Sequence, residues 1–147
     1  MYGDTDVLRR HVDRLREQAD DIRSAADQLV ARTESLTWSG RAADSMRFRV
    51  SERATHLRGS AAQHDAAADS LDRHLQEVDV AKDSIASIEQ RVTALAADAR
   101  TRVAQTDRAA KESGLAVEPD ADDVRLASFA APPPGHRDWL AVELPGL

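Results

Sequence analysis

The sequence predicts an all-α protein whose main element is a long antiparallel helical hairpin. Two stretches carry apolar residues in alternating steps of three and four, which is the period of an amphipathic helix. The tripeptide Trp38-Ser39-Gly40 separates them, at the point where the chain must reverse. After Gly114 the periodicity ends. Residues 1–113 are therefore expected to form the hairpin, and residues 114–147 a flexible, Pro-containing and largely irregular tail.

The first stretch predicts helix one over about residues 5–36. Its apolar positions begin at Leu8 and continue through four heptads to Leu36. Asp4 or Thr5 can cap its start, and Asp6 suits the positive end of the helix dipole. The turn is expected to occupy residues 37–40.

The second stretch predicts a helix that begins near Arg41, with Ser39 as its N-cap. No Pro or Gly occurs between Gly59 and Gly114, and Gly114 suits a C-cap. Two arrangements follow. Either helix two extends over residues 41–113, or a turn near residues 79–84 folds a third helix back along the bundle. The continuous helix is the preferred interpretation.

The apolar positions of both helices form a predicted pairing seam. Many are alanines and only 3% of the chain is aromatic, so one hairpin buries little area and a partner surface is expected. Small residues at Ala61 and Ala68 are expected to pack closely against Val12 to Ala19 of helix one. The larger members of the seam are Leu8, Val12, Leu15, Ile22, Leu29, Leu36, Met46, Val50, Leu57, Leu71 and Leu75.

Composition argues against several classes of function. The chain has 26 acidic and 20 basic residues, so nucleic acid is not an expected partner. It has no cysteine, which excludes disulfides and thiolate sites, and no stretch long and apolar enough for a transmembrane segment. The N-terminus lacks the features of a cleaved signal peptide, so any export is expected to use a route that accepts cargo without one.

No catalytic, cofactor or metal site is expected. The sequence contains no glycine-rich phosphate loop, nucleophile elbow or H-E-x-x-H helix. His64 lies on the seam, where the hairpin register could bring it near His11, but no carboxylate completes a metal shell at helical spacing. An enzyme is not expected, because two or three narrow helices with alanine-rich seams offer few walls for a cleft.

Trp38 and Gly40 are predicted to shape the turn. The indole would be an apolar plug at the tip, and glycine tolerates the backbone conformations that a tight reversal requires. A W-x-G tripeptide alone is common. It becomes more specific between two long amphipathic helices in a small, acidic, cysteine-free protein.

In this setting the chain resembles the WXG family of substrates of the type VII (ESX) secretion systems of actinobacteria and related Gram-positive bacteria. The resemblance covers roughly residues 4–113, including Leu36 to Met46, where small alanines follow the glycine. It implies a hairpin that forms a homodimer, or a heterodimer with another WXG-type hairpin, as a four-helix bundle exported without a cleaved signal peptide. The extra length resembles the N-terminal targeting module of larger substrates.

Members of the family also carry an export signal of the form aromatic-x-x-x-acidic after helix two. The preferred candidate here is Trp139 with Glu143, which on one helical turn would present a ring beside a carboxylate. Val103 with Asp107 matches a looser form, and Tyr2-Gly3-Asp4-Thr5-Asp6 has the spacing at the wrong end. The alternative is that the Trp139 segment rests on the protein's own helices.

The leading hypothesis is a non-enzymatic protein of the type VII (ESX) pathway, secreted or at the cell surface. It would act by helix–helix pairing and be recognised by the ESX machinery. One alternative is a cytoplasmic coiled-coil adaptor or structural protein, in which the W-x-G is only a turn. Another is an accessory module for toxin delivery.

Overall fold

The computed structural model describes residues 5–147, and in this range the protein is all helical, without a β-strand. In chain order the elements are α1 (Thr5–Glu34), α2 (Arg41–Ser113), α3 (Ala121–Ala127) and a 3₁₀ helix (Arg137–Ala141). Residues 5–77 form one compact unit and residues 78–147 form a second, and α2 belongs to both. Within the described range, no helix is both long and apolar enough to cross a membrane.

In the first unit, α1 packs antiparallel to the N-terminal part of α2. Arg16 pairs with Asp69 at 3.3 Å, whereas Asp27, further along α1, pairs with Arg58, earlier in α2, at 2.7 Å. Residue numbers therefore rise along one helix as they fall along the other. The buried cluster of this unit consists of Val12, Ala68 and Leu75, against which Leu8, Leu15 and Leu71 pack.

Residues 35–40 connect the two helices. α1 ends at Glu34, two residues before the predicted end. The first hydrogen bond of α2 runs from the Asp44 N–H to the Gly40 carbonyl at 3.1 Å, so Gly40 is the N-cap and the prediction of Ser39 is wrong. Gly40 has a φ of 107°, a conformation that favours glycine. Asp4, the other predicted cap of helix one, lies outside the described residues.

α2 continues without interruption from Arg41 to Ser113, so the chain does not fold back near residues 79–84. It ends at Gly114, whose φ is 67° and whose N–H donates to the Ala110 carbonyl at 3.0 Å. This is the positive-φ glycine end that the sequence predicted at this position.

In the second unit, the residues after α2 fold back onto its C-terminal part. Trp139 is 1% exposed and forms a buried cluster with Ile85 and Val92 of α2. The segment that the sequence predicted as an irregular tail thus contains α3 and the 3₁₀ helix and supplies the largest buried side chain. Half-buried residues around the cluster are Ile88, Phe129, Val142, Leu144 and Leu147.

Polar contacts hold this segment against α2. The Asp120 side chain caps α3 by accepting from the N–H groups of Asp122 and Asp123. Arg102 of α2 donates from Nε and Nη2 to the Asp123 carboxylate at 2.6–3.0 Å. These hydrogen bonds from Arg102 lower the pKa of Asp123 below its ordinary value.

Candidate functional site

Each helix of the first unit contributes a row of mostly small residues to their contact. Alanine side chains allow the two backbones to approach closely, so larger side chains must lie to either side of the contact. Each residue of these buried rows is at most 7% exposed. The rows are Val12, Ala19, Ala26 and Thr33 on α1 and Ala54, Ala61, Ala68 and Leu75 on α2.

One side of this contact is closed by ion pairs. Four residues after a buried position, a helix presents a side chain about 40° to one side. On α1 this rule gives Arg16 and Arg23, which donate hydrogen bonds to Asp69 and Asp65. These hydrogen bonds raise the pKa of the two guanidinium groups. We call this side the ion-paired flank, with Arg16, Arg23, Asp27, Arg58, Asp65, Asp69 and Asp72.

The other side of the contact is apolar and open. Three residues after a buried position, the side chain lies about 60° away in the opposite sense. These positions, together with Leu8 and Val50 one heptad before the first of them on each helix, carry large side chains that are half-buried, apart from Leu29 at 37% exposed. All of them except His64 are aliphatic. We call this surface the apolar flank, made of Leu8, Leu15, Ile22 and Leu29 on α1 and Val50, Leu57, His64 and Leu71 on α2.

On each helix, the positions three residues after those of the apolar flank form its outer edge, which we call the rim. All of its side chains are exposed, and none of the positions in the flank or its rim is Asp or Glu. His74 of the rim has Glu77 3.8 Å from its Nδ1 atom. The rim consists of His11, Gln18, Ala25 and Arg32 on α1 and Arg53, Ser60, Ala67 and His74 on α2.

The predicted pairing seam is divided among these surfaces. Val12 and Leu75 belong to the buried rows, whereas Leu36 and Met46 lie near the turn at 46% and 43% exposed. The buried rows and the apolar flank both repeat every seven residues. Periodicity therefore could not show which of the two the other helix of the first unit covers. The members on the apolar flank are Leu8, Leu15, Ile22, Leu29, Val50, Leu57 and Leu71.

At the turn, where the sequence predicted Trp38 as an apolar plug, half of the residue remains exposed, at 50%. It lines a surface depression with Met46 and the neighbouring residues Ala42, Ser45 and Arg49. The indole is therefore accessible to a partner.

Sequence reasoning missed two residues near the turn. Arg47 donates to the carbonyls of Leu36 at 3.3 Å and Trp38 at 2.7 Å, which ties the connection to α2. The sequence signal for this role was that Arg47 is a charged residue in the heptad row of Ala54, one repeat earlier. Phe48 is 66% exposed and lines a groove with Val30; its signal was an aromatic residue outside the seam.

The structure does not bring Trp139 and Glu143 together as predicted. The 3₁₀ helix ends at Ala141 and Val142 is extended, so the two residues do not share a helical turn. The indole is buried, its Nε1 donates to the Pro133 carbonyl at 3.0 Å, and only the carboxylate side is exposed. A receptor cannot reach ring and carboxylate at once in this conformation.

The looser candidate, Val103 with Asp107, does lie on one turn of α2. Val103 is half-buried and Asp107 is exposed, so this pair has the arrangement expected of the signal, with an aliphatic residue in place of the ring. Tyr2, the aromatic residue of the N-terminal candidate, lies outside the described residues. The export role of either pair stays a prediction.

The histidines do not converge on one site. Asp69 lies opposite Arg16, so the α2 residue level with His11 is His74 and not His64, and the predicted proximity of His11 and His64 is wrong. His64 Nδ1 lies 2.9 Å from the Ser60 carbonyl. Over residues 5–147 there is no group of three side chains that could hold a metal ion.

The first unit thus offers apolar area at helical spacing, next to an accessible tryptophan. Such a surface can bind another helical surface through a continued heptad pattern. Comparison of the chain with known family models, curated proteins and solved structures finds no match.

Proposed function

We propose that the first unit is a WXG-type helical hairpin and that the protein belongs to the type VII (ESX) secretion pathway. In this proposal it is an exported, non-enzymatic substrate, secreted or retained at the cell surface. It acts by docking a second helical hairpin, its own copy or another WXG-type chain, on the apolar flank.

The apolar flank is the observation that carries the proposal. Its large side chains lie beside the buried rows, where the α1–α2 contact covers them only in part. A second hairpin with a similar flank would cover them and form the core of a four-helix bundle. At about 25 cal/mol per Å² of apolar area, this burial favours association.

The residues at the reversal support the secretion part of the proposal. The backbone at position 40 has a positive φ that favours glycine, and Trp38 has an accessible indole next to Met46. Because Trp38 is half exposed, burial in a core does not account for a tryptophan at this place. Recognition of the indole by the ESX machinery would account for it.

Export from the native host tests the proposal directly. Culture filtrate and cell-surface fractions are assayed for the protein in cells with an intact ESX system and in cells that lack it. We expect to find the protein in these fractions only when the ESX system is intact. Export that persists without the system contradicts the proposal.

A substitution separates recognition from folding. Trp38→Ala is expected to abolish export while circular dichroism shows unchanged helix content, because the indole is half exposed. Phe48→Ala is the matched control, since Phe48 is another exposed aromatic residue near the turn, and it should be exported normally. Equal export of both variants contradicts a recognition role for Trp38.

Two conservative variants test the candidate signals. Glu143→Gln and Asp107→Asn each remove one exposed carboxylate charge without changing side-chain size. Loss of export in only one variant assigns the signal to that pair. Normal export of both variants, and of the double variant, rules out a signal that requires either carboxylate.

One observation favours the alternative of a cytoplasmic adaptor. Burial of Trp139 against Ile85 and Val92 gives this residue a structural role and leaves no accessible aromatic-x-x-x-acidic signal after α2. The adaptor would use the same apolar flank without leaving the cell. It predicts that Trp38→Ala changes neither localisation nor partner binding.

A further inference from the structure

We infer that the apolar flank takes a helical partner whose facing side chains carry carboxylates, in preference to a second copy of this chain. This inference rests on the proposed pairing function and names the chemistry of the partner. It follows from the way charge is divided between the two flanks.

The ion-paired flank satisfies its own charges. Arg16, Arg23 and Arg58 each have a carboxylate of the opposite helix within ion-pair distance. Carboxylates are plentiful in the first unit, yet none occupies the apolar flank or its rim. The open side of the contact is therefore the side from which acidic groups are absent.

Two arginines stand on the rim without an ion pair among residues 5–147. Asp27 pairs with Arg58, and five residues closer to the turn on each helix lie Arg32 and Arg53, so these two stand at the same level. They lie on opposite edges of the apolar flank. A partner that covers the flank brings its own edges next to both guanidinium groups.

At the end of the rim that is distant from the turn, two histidines lie level with each other, as the two arginines do near the turn. Arg16 pairs with Asp69, and five residues further from the turn on each helix lie His11 and His74. His64 lies between the two ends, within the flank itself. Glu77 is the carboxylate next to His74, at 3.8 Å, and it lies outside the rim.

A second copy is a poor electrostatic match in either direction. If two copies pair with their turns together, Arg32 and Arg53 face the same arginines. If they pair with turns apart, the arginines face His11 and His74 and meet no carboxylate of the rim. Carboxylates at the positions facing Arg32 and Arg53 would instead form ion pairs with both guanidinium groups.

The apolar part of the surface favours a helical protein over a lipid surface. The flank repeats every seven residues on both helices, which matches the side-chain spacing of a facing hairpin. Helices that lie on anionic membranes are usually rich in Lys and Arg along the polar edge, whereas Gln18, Ala25, Ser60 and Ala67 fill half of this rim.

The test measures association between the full wild-type chain and a variant of the same chain. The variant His11→Glu/Arg32→Glu/Arg53→Glu/His74→Glu places a carboxylate at the two arginine and the two histidine positions of the rim. Its affinity for the wild-type chain is measured by analytical ultracentrifugation with one chain fluorescently labelled. At low salt, we expect the mixed complex to form about tenfold more tightly than either chain associates with itself. In either direction of pairing, Arg32 and Arg53 of the wild-type chain face carboxylates of the variant, and each exposed ion pair adds a modest gain. High salt should reduce this preference.

The matched control is Arg10→Glu/Arg41→Glu/Arg73→Glu, which changes the net charge equally at neutral pH. Each of these residues is exposed, two positions before a buried residue, and thus on the outer face of its helix. This variant should associate with the wild-type chain no better than the wild-type chain associates with itself.

The outcomes separate the inference from the pairing function. Equal association of the wild-type chain with itself and with the acidic-rim variant overturns the inference and leaves pairing intact. If no combination associates, both are overturned. If the wild-type chain binds vesicles of anionic lipid and no protein variant, the flank is a lipid-binding surface and the inference is overturned.

Discussion

At the residue scale, Gly40 is a position where backbone conformation rather than space favours glycine. Its φ is 107°, and a Cβ added there would meet no atom within 4 Å. Gly40→Ala is therefore expected to destabilise the first unit by about 1–3 kcal/mol, the usual cost of a residue held in a sparsely populated backbone region. Urea denaturation followed by circular dichroism measures the change.

The chain provides a matched control for this prediction. Gly59 lies within α2 with no neighbour near its Cβ position and no positive φ. Gly59→Ala should stabilise the helix by about 0.5–1 kcal/mol, because alanine loses less backbone entropy in a helix. If the two substitutions change stability equally, the conformation assigned to Gly40 is wrong.

What the sequence could predict at this scale depended on whether the cause was local. A positive-φ glycine at the end of a helix, as at Gly114, follows from local backbone sterics and was predicted. The role of Arg47 was not, because it depends on where the carbonyls of Leu36 and Trp38 lie after the chain has reversed.

At the scale of an element, the buried row on α2 limits side-chain size. Ala68 is fully buried against Val12, so Ala68→Leu should overpack the contact and cost about 1–3 kcal/mol in thermal or urea denaturation. Ala62→Leu adds the same side chain at an exposed position of the same helix and should change stability by less than about 0.5 kcal/mol. Equal effects would mean that this row is not the packed face.

The attachment of α3 to α2 should depend on pH through Asp123. Hydrogen bonds from Arg102 lower its pKa, so the ionised carboxylate stabilises the folded state above the ordinary carboxyl pKa, near about 4. This contribution is lost as the pH falls through the lowered pKa. Hydrogen exchange of α3 is thus expected to accelerate in acid relative to α1, after correction for intrinsic rates.

Two variants test the assignment of this effect to Asp123. Asp123→Asn should weaken protection of α3 at neutral pH and reduce its dependence on acid, because the amide cannot carry the charge that Arg102 binds. Asp122→Asn removes an adjacent exposed carboxylate and should behave like the wild-type chain. Unchanged protection in the Asp123 variant would assign the pH dependence to another group.

Helix periodicity shows why the elements were more predictable than their contacts. Steps of three and four residues are a local property, and they located α1 and α2 to within a few residues. Each helix, however, carries two apolar rows at the same spacing. Only the packing of small against small side chains determines which row is buried, and this depends on residues more than thirty positions apart.

At the scale of the whole molecule, the burial of each tryptophan reports on a different unit. Trp38 is half exposed in the first unit, whereas Trp139 is buried in the second. Non-periodic residues such as Pro133 and Trp139 gave no sequence signal of where they would dock. The docking depends on a long-range match to Ile85 and Val92 of α2, which no local pattern contains.

Trp139→Ala is therefore expected to destabilise the second unit alone. The substitution removes the largest buried side chain, its tilted contact with Phe129 at 6.5 Å between ring centroids, and the hydrogen bond to the Pro133 carbonyl. The expected cost is about 3–5 kcal/mol. Because every residue of the Trp139 cluster lies within residues 78–147, hydrogen exchange should accelerate there and stay unchanged in α1. Trp38→Ala, at a half-exposed site, should leave the second unit fully protected, and an equal loss of protection in α1 and α3 after Trp139→Ala would mean that the two units unfold together.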